Sequence, residues 1–308
     1  MNITVAVPSY NKEKYIERCL GSIVHEKEYI EKILLVDNQS TDKTFELAQK
    51  LFPDVECVLN ETNIGMSPNW NKCIDLCETE WLMIFHADDE MVPGAMKHYK
   101  KIIEEYPTAG IIYANAYSII EDDESTKTTS ETSKKEFWKA GLEAMSCKPT
   151  VCSAVMVKKE AYKKLGYFID KSLSSDVEMW HRITSAYDVA FLNVSTVIYR
   201  INASSTGLDS LINREVKDIK ADWDKLNSQM ASHYPTKETR DAFLLECFKS
   251  APGSYFAITK ANLRAKNYRK VLQTLFLIIV TYRGLIPLLK IVVAILTKRI
   301  RALLHSRN

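Results

Sequence analysis

The sequence is poor in glycine, and the nine glycines among its 308 residues are spread along the chain. None of them lies in VPSYNKEKY, the segment over residues 7–15 that follows the first predicted strand. A nucleotidyltransferase with an open α/β sheet normally needs a glycine-rich, basic loop at this point to bind phosphate groups. The missing glycines argue against that class of enzyme and leave it as a minor alternative.

Cysteine pairs that could hold zinc are also missing. Cys73 and Cys77 are four positions apart, but no second pair and no nearby histidine completes a set of ligands. We expect the seven cysteines to be reduced thiols of a cytosolic protein. Because Met1 leads directly into an apolar strand pattern, we expect no signal peptide.

Acidic residues are absent from the last part of the sequence. From Lys260 to Asn308 there are eleven lysines and arginines and no aspartate or glutamate, which gives a local charge of +11. Since the whole chain carries +2, residues 1–259 carry −9. An acidic body with a basic, apolar tail does not match a nucleic-acid-binding protein. It indicates an enzyme held at an anionic membrane surface.

A long uncharged apolar run is missing as well. The most apolar stretch, residues 271–297, has its longest uncharged run at 271–282, which is too short to span a bilayer. On a helix, several basic residues fall on one narrow stripe: Arg269, Arg283, Lys290 and Arg301. We predict that residues 268–305 form a basic amphipathic segment in the interface of an anionic leaflet, broken at Pro287. The alternatives are a hairpin buried against the catalytic domain or a second subunit, and a spanning helix.

Short β-rich runs alternate with helical patterns over the first hundred residues. This spacing predicts an α/β fold with a mostly parallel sheet and helices on both faces. The predicted strands are Ile3–Val7, Lys32–Val36, Val55–Leu59 and Trp81–Phe85. The predicted helices are Lys12–Val24, Asp42 to about Lys50, and Pro68–Cys77.

Beyond residue 107 the pattern becomes mixed, and the later part of the chain is predicted to be helical. The polar residues 121–136 are predicted to form a mobile surface loop, and residues 175–187 a helix. After about residue 205 we expect helices only. The predicted strands of this half are Ile111–Tyr113, Val151–Val157 and Val194–Arg200.

Polar side chains follow three of the predicted strands. In open parallel sheets, ligands bind beyond the carboxyl ends of the strands. A cluster of carboxylates at this edge requires a neutralising cation, and a divalent ion shared with substrate phosphates satisfies that need. The alternative is that each aspartate caps the following helix. The residues concerned are Pro8, Ser9, Tyr10 and Asn11, then Asp37 and Asn38, then His86, Asp88, Asp89 and Glu90.

Five motifs occur in the order typical of one enzyme family. They are VPSYN (7–11), LLVDNQSTDKT (34–44), NIGMSPNWN (63–71), FHADDEMVPGAM (85–96) and SSDVEMWHR (174–182). In this order the sequence resembles the inverting family 2 glycosyltransferases of GT-A fold. The resemblance implies a GT-A catalytic domain over residues 1–205, with a nucleotide-sugar-binding half (about 1–107) and an acceptor half (about 108–205). Residues 206–308 would be a helical C-terminal region.

The resemblance also implies roles for individual residues of the donor site. Pro8, Ser9 and Tyr10 match the turn around the nucleotide base, and Asp37 matches the aspartate that recognises the base or ribose. Asp88 would contact the ribose or the metal, and Asp89 would bind Mn²⁺ or Mg²⁺. Asn69 belongs to the donor site too, in a motif where relatives often carry an arginine.

Asp176 matches the catalytic base of the family, which takes a proton from the acceptor hydroxyl. Glu178 is the alternative base, although it can instead pair with Arg182 one helical turn later. His86 replaces the first aspartate of the usual metal motif and is expected to be a packed strand-end histidine. Candidates for the missing phosphate contact are Lys158, Lys159 and Arg200.

The expected function is metal-dependent, inverting transfer of a sugar from a nucleotide-diphosphate donor, most often a UDP-sugar. The acceptor would be a hydroxyl of a glycan or a lipid-linked sugar in surface polysaccharide or glycoconjugate biosynthesis. We expect a cytoplasmic protein, peripheral on the inner face of the membrane, with oligomers possible and no nucleic-acid partner. The alternatives are a polyprenyl-phosphate sugar synthase, a nucleotidyltransferase and a non-catalytic sugar-nucleotide-binding protein.

Overall fold

A computed structural model describes residues 2–120, 123–129, 135–141, 144, 151–169, 174–201, 212–264 and 266–282. The chain divides into two compact units, residues 1–202 and residues 203–308. The first unit is built on a mixed β-sheet with helices on both faces, and the second unit is helical where it is described.

The sheet of the first unit has ten strands within the described residues, in the order β3-β2-β1-β4-β9-β6-β10-β5. Strand β7 pairs with β6 and strand β8 pairs with β10. The strands are β1 (Ile3–Ser9), β2 (Lys32–Asp37), β3 (Glu56–Leu59), β4 (Trp81–Ile84), β5 (Glu90–Met91), β6 (Ala109–Ile120), β7 (Asp123–Thr129), β8 (Phe137–Trp138), β9 (Val155–Lys158) and β10 (Asp188–Ile201).

The first four strands pair parallel to one another, as their helix-separated spacing predicts. Strand β9 then runs antiparallel to both β4 and β6, and β6 is parallel to β10. The carboxyl ends of β1, β2 and β4 therefore meet at one edge. That edge is where the sequence predicts the functional site.

Two apolar clusters cover the two faces of the sheet. Side chains of β1 alternate between them, since Val5 and Val7 belong to one cluster and Ala6 to the other. Helices α1, α2 and α4 contribute to the first cluster, and α3, α5 and α6 to the second. These helices are α1 (Ile16–Val24), α2 (Thr44–Leu51), α3 (Met66–Leu76), α4 (Ala95–Glu105), α5 (Lys159–Leu165) and α6 (Ser175–Ala186).

The predicted surface loop at 121–136 is wrong for part of its length. Residues Asp123–Thr129 form β7, which pairs antiparallel with β6. This segment has no apolar alternation, because it carries threonines and charged residues. Threonine nevertheless favours extended backbone, and pairing with the long strand β6 satisfies its backbone groups. Strands β6 and β10 also extend well beyond the runs predicted for them.

The second unit is helical in its described residues, as the sequence predicts. Its helices are α7 (Val216–Ala231), α8 (Lys237–Arg264) and α9 (Tyr268–Tyr282). Among the residues that the structure describes, no helix has both the length and the apolar character needed to cross a bilayer. The predicted amphipathic segment 268–305 is described only as far as residue 282, and its remainder lies outside the described residues.

Candidate functional site

The turn after β1 and the turn after β2 are joined through the carboxylate of Asp37. Ser9 lies beside Asp37 in the strand register, and its Oγ donates to Asp37 Oδ2 at 2.7 Å. The backbone N–H of Ser40 donates to Asp37 Oδ1 at 2.7 Å, and Ser40 Oγ donates to Oδ2 at 2.7 Å. Asp37 is fully buried, so these three donors hold a carboxylate that would otherwise be unpaired. Asp37 is thus a predicted site residue that also holds the two turns together.

The segment after Ser9 is fixed by contacts to the turn after β2. Asn11 has a left-handed backbone, with φ of +51°, and its Oδ1 accepts from the N–H of Thr41 at 2.8 Å. The N–H of Lys12 donates to Thr44 Oγ1 at 2.7 Å. The ring of Tyr10 is left 43% exposed at this edge. A large exposed aromatic surface at the carboxyl ends of the strands is suited to stacking against a planar base.

A network of buried asparagines lies behind this edge and includes the predicted donor residue Asn69. Asn60 Nδ2 donates to Asn38 Oδ1 and to Asn69 Oδ1, both at 2.9 Å. Asn69 Nδ2 in turn donates to the carbonyl oxygen of Val36 at 3.0 Å. All polar atoms of the Asn69 amide are therefore engaged inside the protein. These hydrogen bonds position the end of β2, and the role of Asn69 in donor binding stays a prediction.

Asp88 is the carboxylate of the motif that faces outward, and it is paired with Lys12. The distance from Lys12 Nζ to Asp88 Oδ2 is 2.6 Å, and the two side chains are 20% and 14% exposed. This pairing brings the segment after β1 to the segment after β4. Sequence reasoning missed Lys12, because a single lysine among several in one loop carries no recognisable pattern. Its proximity to Asp88 depends on the parallel pairing of β1 and β4.

Asp89 points into the interior, and its role as a metal ligand stays a prediction. Its Oδ2 accepts from Ser153 Oγ at 2.6 Å, and its Oδ1 accepts from the N–H of Arg200 at 3.1 Å. The side chain is buried, and burial, followed by the charge of Asp88, raises the pKa of Asp89 to about 8. Both oxygens are committed to internal donors. Asp89 therefore ties the donor motif to the short helical turn at Cys152–Ala154 and to β10.

The ring of His86 packs against Trp70 of α3, with ring centroids 5.3 Å apart and planes inclined by 26°. Its backbone N–H donates to Ser153 Oγ at 2.9 Å. Burial lowers the pKa of His86, while the nearby carboxylates of Asp88 and Asp176 act in the opposite direction. Its Nε2 is buried and has no hydrogen-bond partner among the described residues. The stack of His86 on Trp70 is the kind of strand-end packing that the sequence predicts for this histidine.

Asp176 lies in the first turn of α6, where its Oδ1 accepts from the N–H of Val177 at 2.9 Å. Burial raises its pKa above the ordinary range of a carboxyl, while the Val177 N–H and His86 oppose that rise. Ser175 Oγ, one residue earlier, lies 3.1 Å from Ser67 Oγ in the first turn of α3, so the first turn of α6 lies at the same edge as the strand-end residues. A carboxylate with a raised pKa is a stronger base than an exposed one and is suited to taking a proton from a hydroxyl.

Glu178, the alternative base, is committed elsewhere. It is buried, and its Oε2 lies 2.8 Å from Arg182 Nη2, one helical turn further along α6. Arg182 also donates to the carbonyl oxygens of Leu165 and Tyr167. This is the pairing that the sequence spacing allows. It gives Glu178 a structural role, and the role of Asp176 as the base stays a prediction.

Of the three cations proposed for the phosphate contact, Lys158 and Lys159 lie at the opposite edge of the sheet, and Arg200 lies beside the motif that follows β4. Lys158 is paired in register with Trp81, at the start of β4 and hence at the opposite edge of the sheet. Lys159 donates to the carbonyl oxygen of Cys77 near that same edge. Arg200 pairs with Glu90, with a distance of 2.9 Å from Nε to Oε1. Lys12 lies beside Asp88, the carboxylate that faces outward.

The donor set at this edge suits a cation that is shared with a ligand. Within the described ranges, no three carboxylate, imidazole or thiol side chains converge to hold a metal ion by themselves. Mg²⁺ and similar ions bound with phosphates commonly take only one or two protein carboxylates. Asp88 provides one such carboxylate. The residues present therefore fit a divalent ion bound together with a diphosphate.

The chain belongs to glycosyl transferase family 2, whose family model matches residues 4–166. Similarity to an uncharacterised Mycobacterium tuberculosis protein is 32% identity over 113 residues, 36% of this chain and 35% of that protein. An uncharacterised glycosyltransferase of Methanocaldococcus jannaschii is 26% identical over 212 residues, 65% of this chain and 70% of the relative. The chain thus spans about a third of the first relative.

The fold is that of the GT-A glycosyltransferases. Residues 1–349 of S. aureus TarS, solved in complex with UDP-GlcNAc, superpose with a TM-score of 0.65 at 16% identity. The match covers 85% of this chain and 81% of that one. The complex of the same TarS fragment with UDP gives a TM-score of 0.62 at 15% identity. At 15–16% identity the similarity to TarS shows the fold alone, and the match to the family model shows the enzyme family.

Proposed function

We propose that the protein is an inverting glycosyltransferase that moves a sugar from a nucleotide-diphosphate donor to a hydroxyl group. The observation that carries the proposal is the grouping of Asp37, Asp88 and Asp176 at one edge of a GT-A sheet. Two of these carboxylates follow parallel strands and the third begins α6. The UDP-sugar seen in the TarS fragment supports a UDP-sugar as the donor.

The donor's nucleoside would bind across the ends of β1 and β2. Tyr10 offers an exposed ring against the base, and Pro8 and Ser9 shape the turn that holds that ring. Asp37, held by Ser9 and Ser40, would accept a hydrogen bond from the base or the ribose. Because Asp37 is already held by protein donors, its position is fixed before the ligand arrives, which reduces the entropy cost of binding.

The donor's diphosphate would lie between Lys12 and Asp88. Asp88 would hold Mn²⁺ or Mg²⁺ together with the phosphate oxygens, and the ion, when bound, neutralises charge on the leaving diphosphate. Lys12 adds a second positive charge from the protein itself. The Lys12 side chain is partly exposed, so its ammonium group can move a short distance from the carboxylate of Asp88 to a phosphate oxygen. Lys12 thereby takes the place of the arginine missing near Asn69.

Asp176 would act as the general base. It takes the proton of the acceptor hydroxyl while the oxygen attacks the anomeric carbon, and the bond to the diphosphate breaks on the opposite side. The result is one displacement with inversion of configuration. Its raised pKa strengthens the base, and Glu178 cannot replace it without breaking the pair with Arg182.

The acceptor would be a glycan or a lipid-linked sugar at the cytoplasmic face of the membrane. A shorter match to a teichoic acid poly(glycerol phosphate) polymerase of Staphylococcus epidermidis, 29% identical over 101 residues, supports a surface-polymer context. The charge of +11 over residues 260–308 supports a location at an anionic membrane. A polyprenyl-phosphate sugar synthase is the related alternative, in which the accepting oxygen belongs to a phosphate.

Thermal unfolding with UDP, GDP, dTDP, CDP and ATP, each with and without Mn²⁺, tests the proposal. A diphosphate at about 100 times its Kd adds roughly 2.7 kcal/mol to the free energy of unfolding. We expect the largest shift for UDP. Preference for ATP would favour nucleotidyl transfer, and no shift with any nucleotide would contradict donor binding altogether.

The variant Asp176→Asn tests the base in particular. We expect it to bind the nucleotide sugar like the wild type and to lose transfer, measured as release of free UDP in the presence of acceptor. Glu178→Gln is the matched control, because it makes the same chemical change two residues away on the same helix. Retained turnover in Asp176→Asn would place the base elsewhere.

A further inference from the structure

Helix α9 has an unusual distribution of polar and apolar side chains. Its exposed face carries the three large residues Tyr268, Leu272 and Phe276, which are 61%, 67% and 67% exposed. Its buried face includes polar groups, namely Lys270 and Thr274 beside Val271 and Ile278. A helix of a water-soluble unit normally has the reverse distribution. The apolar face of α9 therefore calls for a partner that removes it from water.

The exposed residues form a continuous stripe. They are four positions apart, so at 100° per residue they fall within about 80° of one another over two turns of helix. The buried face is fixed independently of this stripe, because Lys270 Nζ donates to the carbonyl oxygen of Ile212 at 2.5 Å. Thr274 Oγ1 donates to the carbonyl oxygen of Lys270 at 2.7 Å. The Thr274 bond lies within α9, so it is the contact of Lys270 with Ile212, together with the burial of Val271 and Ile278, that sets the rotation of α9 and leaves the stripe outward.

The charge around the stripe identifies the partner. Arg269 is exposed next to Tyr268, and residues 260–308 carry +11 with no acidic residue. A second copy of the same face would bring two such positive segments together, which charge repulsion opposes. Nucleic acid would match the charge but offers no apolar layer for a stripe of leucine and phenylalanine. A bilayer with anionic headgroups offers both, since apolar side chains enter the acyl boundary while cations meet the headgroups.

We propose that the stripe of Tyr268, Leu272 and Phe276 is the surface by which this protein lies on an anionic lipid bilayer. Helix α9 then lies parallel to the membrane plane, with its stripe in the acyl boundary and Arg269 at the headgroups. The proposal names the contact residues of the membrane location and does not depend on the transferase reaction.

Co-sedimentation of the full chain with lipid vesicles tests the proposal. Phosphatidylcholine vesicles with and without phosphatidylglycerol separate the apolar contribution from the charge contribution. We expect the wild type to bind the vesicles that contain phosphatidylglycerol. The double variant Leu272→Ser/Phe276→Ser should bind them at least about tenfold more weakly, because two large apolar side chains no longer enter the acyl boundary. Arg269→Gln should weaken binding less, and its effect should disappear at high salt.

Leu51→Ser is the matched control. Leu51 is 41% exposed at the end of α2 in the first unit, so its replacement makes the same chemical change away from the stripe. We expect this variant to bind vesicles like the wild type, and thermal unfolding of every variant checks that it is folded. Wild-type affinity in the double variant would overturn the proposal, as would equal binding to uncharged vesicles. A dimer that the double variant dissociates, without vesicle binding, would instead assign the stripe to a contact between copies.

Discussion

Replacing Ser153 with alanine removes the hydroxyl that joins the donor motif to the second half of the sheet. Ser153 is fully buried. Its Oγ accepts from the N–H of His86 at 2.9 Å and donates to Asp89 Oδ2 at 2.6 Å. Alanine leaves the N–H of His86 without its partner and takes away one of the two donors that hold Asp89. The change in side-chain volume is small, so the expected loss comes from hydrogen bonding rather than from packing.

The size of this loss follows from the two hydrogen bonds. With a pKa of about 8, Asp89 is largely protonated at pH 7, so neutral hydrogen-bond values apply to both contacts. Each buried group left unpaired costs about 1–3 kcal/mol, and the two together give a loss of about 2–6 kcal/mol for Ser153→Ala. For a unit of roughly 200 residues this corresponds to a decrease in Tm of about 4–24 °C.

Urea unfolding and calorimetry of Ser153→Ala measure the effect directly. Ser185→Ala is the control, because Ser185 Oγ makes a single bond of 2.7 Å to the carbonyl oxygen of Arg182 on a half-buried helix turn. We expect this control to lose less than about 1 kcal/mol. A loss below about 1 kcal/mol in Ser153→Ala as well would refute the reasoning. It would mean that the His86 N–H and the Asp89 carboxyl find water or other partners when the hydroxyl is gone.

Three further predictions concern the donor contact, the helix pair and the pH dependence of stability. Lys12→Met should weaken UDP binding by about tenfold in isothermal titration calorimetry, because a charged contact to the diphosphate is lost. Lys14→Met is the control and should bind UDP like the wild type. A wild-type Kd for UDP in Lys12→Met would contradict the placement of the diphosphate. Glu178→Gln should lower the free energy of unfolding by about 1–3 kcal/mol, because the variant loses the charge that pairs with the mostly buried guanidinium of Arg182. It should keep the wild-type kcat. Loss of kcat with unchanged stability would contradict a structural role for Glu178. The raised pKa of Asp89 means that the folded state keeps a proton that the unfolded state loses between about pH 4 and 8. The free energy of unfolding should therefore fall as pH rises through this range, by up to about 1.4 kcal/mol per pH unit. In Asp89→Asn the free energy of unfolding should depend less on pH. The same pH dependence in the variant and the wild type would contradict the burial of an ionisable Asp89.

The order of elements in the first half of the protein follows from local pattern. Apolar runs alternate with helical segments, and such units can only bury both faces of their strands by parallel pairing with helices on each side. This pattern placed Ser9, Asp37 and Asp88 at one edge, because the ends of parallel strands meet. The i to i+4 spacing similarly indicated the pair of Glu178 and Arg182, which the structure contains.

The second half of the sheet was less accessible to such reasoning. Strand β7 consists of polar residues, and its extended form depends on pairing with β6 rather than on its own pattern. The antiparallel placement of β9 between β4 and β6 likewise depends on pairings between residues far apart in sequence. Local periodicity reports which face of an element is buried, and it carries little information about which strand will be its neighbour.

The sequence by itself determined the class of fold, the edge of the sheet that carries the polar residues, and the family of the chain. Tertiary structure decided which of those polar side chains remain available. Asp88 faces outward and Asp89 inward because Ser153 and Arg200, distant in sequence, offer donors to only one of the two adjacent carboxylates. Asn69 turns inward for the same reason, since Asn60 and Val36 engage its amide. A motif specifies residue types, and long-range hydrogen bonds decide their directions.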